Sequence, residues 1–159
     1  MRAHPEWEVV NQGINAQRSD QITARFEADV LSQKPAVVVI IAGVNDVYQG
    51  RPARQVIDQL AAMYQRAHAA GIRVVAGTII PYNTATADQN ARMKEINDWI
   101  RSQGRADPGV VVVDTRAAVA APDNPDKLAT SPDQLHPDAA GYRKMADAIE
   151  KALLRILKP

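Results

Sequence analysis

The chain contains four short apolar runs, and each has the length of a β-strand. They are WEVV at 7–10, AVVVIIA at 36–42, IRVVAGTII at 72–80 and VVVV at 110–113. The last three are largely apolar at successive positions rather than at alternate ones, which is typical of strands covered on both faces of a parallel sheet. The pattern therefore predicts a parallel sheet with a layer on each side.

Between these runs, apolar residues recur at helical spacing. Strands that alternate with helices imply right-handed βαβ connections, so the predicted fold is a three-layer α/β/α sandwich. Gly71 and Gly104 stand where helix C-caps are expected, and Pro137 suits the first turn of the last helix, where its missing N–H costs nothing. The predicted helix faces consist of Val56, Leu60, Met63 and Ala67; Met93, Ile96 and Ile100; and Met145, Ile149, Leu153 and Ile156.

The composition fits one compact domain and excludes several classes of protein. The 159 residues are 46% hydrophobic with a formal net charge of +1, and scattered Lys and Arg disfavour a nucleic-acid surface. The absence of Cys excludes disulfides, thiol catalysis and zinc–thiolate sites. No apolar stretch is long enough to cross a membrane, and the first ten residues lack the order of a signal peptide. We therefore expect a cytoplasmic protein, unless residues precede Met1.

Polar clusters follow every predicted strand. Ligands of open parallel sheets bind at the carboxyl ends of the strands, so these clusters predict a site at one edge of the sheet. The clusters are NQGINAQRSDQ after 7–10, GVNDVYQG after 36–42, PYNTATADQN after 72–80, and a long loop, 114–138, after 110–113.

The segment DQLHPD at 133–138 places an acid three residues before a histidine. Asp133 could accept a hydrogen bond from the Nδ1–H of His136, which would fix the tautomer and leave Nε2 free as a general base. Alternatively, Asp133 and Asp138 are acids favoured at a helix start by the helix dipole, and His136 is an ordinary surface residue. Taken alone, the D-x-x-H spacing favours this alternative.

Two further blocks contain turn-forming residues. In AGVNDVY, Gly43 ends the strand, and the amide of Asn45 could donate to a developing oxyanion, which is worth about 3 kcal/mol. In NQGINAQ, Asn11 and Gly13 mark a tight turn, and the N–H groups of 13–16 could form an anion-binding nest. Gly, Asn and Asp are common turn formers, so each block alone is better explained as an ordinary turn.

Together and in this order, the blocks N-x-G-I-N-A, G-V-N-D and D-x-L-H-P resemble the SGNH hydrolases, also called GDSL-type esterases and lipases. The resemblance extends from about residue 7 to the last helix. It implies a flavodoxin-like parallel sheet and hydrolysis of acyl esters through a Ser–His–Asp triad, with neither a metal nor another cofactor. The substrate would be a small-molecule ester.

The resemblance also implies a role for particular residues. His136 would be the base, Asp133 its orienting acid, and Asn45 the side-chain donor of an oxyanion hole. The second donor would be the backbone N–H of Ala16, where the family usually has glycine. An N–H survives this replacement, although a left-handed conformation would cost Ala16 on the order of 1 kcal/mol. The supporting residues of the matching blocks are Asn11, Gly13, Gly43 and Asp46.

The serine that the resemblance implies is missing from its expected place. The family's Gly-Asp-Ser block precedes the N-x-G block, but the ten residues before Asn11 contain no Ser. We therefore expect a single, N-terminally truncated domain over 1–159 whose first strand and nucleophile are absent and whose activity is impaired. Ser19, just past the oxyanion loop, is a weak candidate for a substitute. The other serines are Ser32, Ser102 and Ser131.

Two functions stay open at this stage: an ester hydrolase for small acyl groups, and a non-catalytic binding or assembly protein on the same scaffold. A nucleotide or flavin site is disfavoured, because the chain lacks a phosphate-binding glycine motif and has only 4% aromatic residues. A metal hydrolase is disfavoured because His4, His68 and His136 are far apart in the sequence. A sheet without its first strand would have open edges, and a homodimer would cover them.

Overall fold

The central sheet is parallel and lies between helices. The computed structural model describes residues 4–157. Val38, Val74 and Val110 lie side by side in the register of the three neighbouring strands. In sheet order the strands are β1 (Val37–Ile40), β2 (Arg73–Gly77) and β3 (Val110–Val113).

Helices connect the strands, and a small antiparallel hairpin lies outside the sheet. Among the described residues, no helix is long and apolar enough to cross a membrane. The hairpin consists of β4 (Ala120–Ala121) and β5 (Asn124–Leu128). The helices are α1 (Ser19–Asp29), α2 (Val44–Tyr48), α3 (Ala53–Ala69), α4 (Ala87–Ala106), α5 (Thr115–Val119) and α6 (Ala139–Ile156), with a 3₁₀ turn at Leu31–Gln33.

At the centre of the sheet both faces are covered, as the largely apolar runs predict. Val74 and Val75 are consecutive and point to opposite faces, yet they are 1% and 0% exposed. Val74 belongs to the main core with α1, α3 and α4, whereas Val75 packs with Val113 against Ala152 and Ile156 of α6. The predicted three-layer α/β/α sandwich is therefore confirmed.

The predicted strand at 7–10 is wrong. This segment makes no strand pairing in the described part of the chain, and Val9 and Val10 are 81% and 59% exposed. His4 stacks on Trp7 at 3.9 Å between ring centroids, and its Nε2 lies 2.7 Å from Glu150 Oε1 on α6. The segment is thus tied to a helix rather than to a strand edge, and an apolar run without a backbone partner does not form a strand.

The three residues predicted to mark helix ends have different outcomes. Gly71 follows α3 with φ of 72°, so its prediction is confirmed. The prediction for Gly104 is wrong, because this residue lies within α4, where a Cβ would come 2.8 Å from Val112 Cγ2. Glycine there lets the helix approach β3. The prediction for Pro137 is also wrong: α6 begins at Ala139 with Asp138 as its cap, so Pro137 lies before the first turn.

The segment 114–138, expected as a loop, contains α5 and the β4–β5 hairpin. Asp114 caps α5, since its Oδ1 accepts a hydrogen bond from Ala117 N at 2.9 Å. Arg116 Nη2 then reaches Asp126 Oδ1 of the hairpin at 2.6 Å. These contacts give the segment a fixed position beside the carboxyl edge of the sheet.

Candidate active site

The side chains of Asp133 and His136 are in direct contact. Asp133 Oδ2 lies 2.7 Å from His136 Nδ1, and Asp133 Oδ1 accepts hydrogen bonds from the backbone N–H groups of Leu135 at 2.9 Å and His136 at 2.8 Å. The bond from the His136 ring, followed by those from the His136 and Leu135 N–H groups, holds the pKa of the Asp133 carboxyl well below its usual range. An ionised carboxylate only accepts hydrogen bonds, so Nδ1 of His136 is the donor in this contact, and in the neutral ring Nε2 is then the acceptor.

The alternative interpretation of this segment, acids at a helix start, applies to Asp138 rather than to Asp133. Asp138 Oδ1 accepts a hydrogen bond from Gly141 N at 2.7 Å and caps α6. Asp133 instead bonds within its own loop. The side chains of Asp133 and His136 are 51% and 58% exposed, so a ligand can reach the ring from solvent.

Gly43 determines how the chain leaves β1. Its φ is 119°, and a Cβ there would lie 2.7 Å from both Ile79 Cδ1 and Val56 Cγ1, so the position requires glycine. The turn places Asn45 at the start of α2. Asn45 Nδ2 donates to the Gln17 carbonyl at 2.9 Å, and because an amide has two N–H bonds, one stays available for another acceptor.

The loop before α1 lies against this turn. Asn11 Oδ1 accepts a hydrogen bond from Gly13 N at 2.9 Å, which is the tight turn that the sequence predicts. Ala16 adopts φ of 62°, the left-handed conformation that favours glycine, at a cost of roughly 1 kcal/mol. Its neighbour Gln17 is the residue that Asn45 contacts, so the loop that carries Ala16 lies against the side chain of Asn45.

Ser19 and Asp46 form a buried pair beneath the same turn. Each residue is 1% exposed. Ser19 Oγ donates to Asp46 Oδ1 at 2.7 Å, and Ser19 N donates to Asp46 Oδ2 at 2.8 Å. The hydroxyl of Ser19 therefore already has a structural partner, and Asp46 fixes the start of α1 beside α2.

A chain of contacts links the α2 turn to the loop that carries His136. Tyr48, the last residue of α2, packs edge-on against Tyr82 with 5.7 Å between ring centroids. The next residue, Asn83, donates its backbone N–H to the Gln134 carbonyl at 2.7 Å. The structure therefore brings both groups of predicted site residues to the carboxyl edge of the sheet, with Tyr82 and Asn83 between them.

Asn83 has no role predicted from the sequence, although the segment PYNTATADQN was expected at this edge. Asn83 Oδ1 accepts the N–H of Leu128, and the Asn83 carbonyl accepts a hydrogen bond from Lys127 Nζ. Both partners lie in β5 of the hairpin, a segment that was expected to be a loop. A Pro-Tyr-Asn turn directly after a strand was the available signal, but such a turn is common in any fold.

The sandwich, with its G-V-N-D turn after β1 and its D-Q-L-H-P loop before α6, has the architecture of an SGNH-type hydrolase. Residues 1–144 match the model of the GDSL-like Lipase/Acylhydrolase family. The chain belongs to this family, which confirms the resemblance inferred from the sequence.

Relatives with named activities are esterases. The acetylxylan esterase of Geobacillus stearothermophilus is 29% identical over 153 residues, covering 88% of this chain and 69% of that protein. Esterase TesA of Pseudomonas aeruginosa is 39% identical over 70 residues, covering 44% of this chain and 35% of that protein. The second match thus spans about a third of the Pseudomonas esterase.

Among solved structures, a GDSL-like lipase from Bacteroides thetaiotaomicron has the same fold. It superposes with a TM-score of 0.86 at 26% identity, over 93% of this chain and 76% of that chain. The agreement extends to the parallel sheet and the helices on both of its faces.

Proposed function

We propose that the protein is an ester hydrolase for small acyl groups in which His136 is the general base and Asp133 orients it. The observation that carries this proposal is the 2.7 Å contact between Asp133 Oδ2 and His136 Nδ1, which leaves Nε2 free in an exposed position. Membership of the acylhydrolase family and the esterase names of two relatives support the reaction class.

The proposed reaction is acyl transfer in two steps. An attacking hydroxyl gives its proton to Nε2 of His136 while its oxygen bonds to the ester carbonyl carbon. The Asn45 amide and the Ala16 N–H donate to the resulting oxyanion, and each such donor is typically worth about 10²–10³ in rate. The intermediate collapses, and the departing alkoxide takes the proton from Nε2. Water then repeats the sequence to release the acid.

The contacts of the serines favour a second candidate, a protein that binds acyl or carbohydrate ligands without converting them. Ser19 Oγ donates to Asp46, Ser102 Oγ donates to the Trp99 carbonyl at 2.6 Å, and Ser131 Oγ lies 3.4 Å from Asp133 Oδ1. Ser32 is exposed on the 3₁₀ turn. Each of the first three hydroxyls thus has a partner other than the His136 ring.

Hydrolysis of p-nitrophenyl acetate by wild type, His136→Ala and His68→Ala tests the first proposal. His68 is a matched control because it is also an exposed histidine beside an aspartate, with 3.5 Å between His68 Nδ1 and Asp107 Oδ2. We expect His136→Ala to lower kcat about 10²–10⁴-fold, as loss of a general base does, and His68→Ala to leave it unchanged. Hydrolysis that survives His136→Ala would contradict the proposal.

Two further measurements address the nucleophile and the second candidate. Ser19→Ala and Ser131→Ala test whether either serine is the nucleophile. If one of them is, the variant that lacks it should lose hydrolysis and the other variant should keep it. If purified wild type does not hydrolyse the ester, titration calorimetry with acetylated xylooligosaccharides decides the binding hypothesis. Saturable binding that Asn45→Ala weakens would support it, and lack of binding would exclude it for this ligand class.

A further inference from the structure

The loop that carries His136 has no helix or strand of its own, so its position depends on a few contacts. The Asp138 N–H donates to the Thr130 carbonyl at 3.3 Å and closes the base of the loop. The bonds of Asp133 to Leu135 and His136 lie within the loop, so they fix the ring relative to the carboxylate but not relative to the sheet. Something outside the loop must hold its tip in place.

Two contacts hold the tip from outside. The half-buried side chain of Leu135 packs against the main core. Among the hydrogen bonds within residues 4–157, the one from Asn83 N to the Gln134 carbonyl at 2.7 Å joins the tip, residues 132–136, to another element. Gln134 adopts φ of 68°, which is unfavourable for a residue with a Cβ and needs support from its surroundings.

Asn83 is itself fixed by the hairpin. Its Oδ1 accepts the N–H of Leu128 at 2.7 Å, and its carbonyl accepts a hydrogen bond from Lys127 Nζ. Leu128 is 4% exposed and packs with Val119 and Met145, so it is a firm attachment point. Asn83 therefore connects three segments: the turn after β2, the strand β5 and the tip of the His136 loop.

We propose that Asn83 is a positioning residue, whose side chain anchors its own backbone to β5 and thereby fixes the His136 loop over the carboxyl edge of the sheet. The catalytic consequence rests on the function proposed above. Reactions in which a base must lie close to the attacking group are sensitive to position, and a displacement of about 1 Å lowers the rate about 10²-fold. Loss of the anchor should therefore lower kcat with little effect on KM.

The test compares Asn83→Ala, Asn83→Asp and Asn124→Ala. Asn83→Ala removes the acceptor for Leu128 N, whereas Asn83→Asp keeps an acceptor oxygen in the same place. Asn124→Ala is a matched control, because Asn124 Oδ1 accepts the N–H of Asp126 at 3.0 Å within the same hairpin, and within residues 4–157 its side chain makes no hydrogen bond to the loop tip.

The first readout needs no catalysis. In ¹⁵N-labelled protein we expect the His136 ring signals to be sharp in wild type, broadened by exchange in Asn83→Ala, and restored in Asn83→Asp. Asn124→Ala should resemble wild type. If hydrolysis is detected, kcat should fall about 10–100-fold in Asn83→Ala and recover to within about threefold in Asn83→Asp.

Several results would overturn the proposal. His136 signals identical to wild type in a folded Asn83→Ala would show that the tip is held without the anchor. Failure of Asn83→Asp to restore the signals would show that the acceptor oxygen is not what matters. If Asn83→Ala does not fold, Lys127→Met, which loosens Asn83 from the other side, should broaden the same signals, and unchanged signals there refute the proposal. Absence of hydrolysis with the expected signals would refute the catalytic function alone.

Discussion

Replacing Gly43 by alanine should destabilise the protein several times more than replacing Gly50. Both glycines have positive φ, 119° and 84°. A Cβ on Gly43 would lie 2.7 Å from Val56 Cγ1 and Ile79 Cδ1, which are buried core atoms, whereas a Cβ on Gly50 would have nothing within 4 Å. The two substitutions therefore share the backbone strain and differ in the steric contact.

The size of the difference follows from these contributions. A left-handed alanine costs about 1–2 kcal/mol. Replacing glycine by alanine also reduces the entropy of the unfolded chain, which stabilises the folded protein by about 0.4–1 kcal/mol at either position. Forcing a methyl group into a packed core adds about 1–3 kcal/mol. We therefore expect a loss of about 2–4 kcal/mol for Gly43→Ala and about 1 kcal/mol for Gly50→Ala.

Urea unfolding followed by circular dichroism measures both losses. With m-values of about 1–3 kcal/mol/M, the two variants should differ in midpoint by about 1 M. Equal losses would show that the space beside Val56 and Ile79 adapts freely, and the argument that only glycine fits after β1 would then be wrong. A change in m-value would instead indicate a change in the unfolded or native ensemble.

Three other predictions concern the site and the sheet edge. Ala16→Gly should keep or raise the free energy of unfolding by up to about 1 kcal/mol, and a clear loss in urea would contradict the strain at φ of 62°. The ¹³C signal of the Asp133 carboxyl should titrate below the usual pKa of 3.8, and its midpoint should rise in His136→Ala. The stabilisation from this group is complete above about pH 3.8 and is lost as the pH falls through the lower pKa of the folded state. We also predict a homodimer that forms through the edge strand β1, where Val39 is 41% exposed; light scattering should detect the dimer, Val39→Lys should dissociate it, and a wild-type monomer would contradict the prediction.

The parts of the fold that could be predicted are those set by local patterns. The three strands are largely apolar runs, and the helix face of Val56, Leu60 and Met63 repeats at helical spacing and is fully buried. The contact of Asp133 with His136 was also predictable, because the two residues are three positions apart in a short loop.

The parts that could not be predicted depend on distant partners. The segment 7–10 has the composition of a strand but pairs with no strand among residues 4–157. Gly104 is a residue type that often ends a helix, but here it lies within α4 and lets that helix pack closely against Val112. Asn83 and Leu128 are 45 positions apart, and no local pattern indicates which hairpin an asparagine will contact.

One face of the sheet is buried by the last helix, α6, and this has a consequence for synthesis on the ribosome. Within residues 4–157, the buried cluster on that face joins Val75 and Val113 to Ala152 and Ile156 of the last helix. At about 5–20 residues per second, the interval between synthesis of Val75 and Ile156 is roughly 4–16 s. During that time Val75 and Val113 lack the helix that buries them, so the nascent chain exposes more apolar surface to chaperones than the finished protein does.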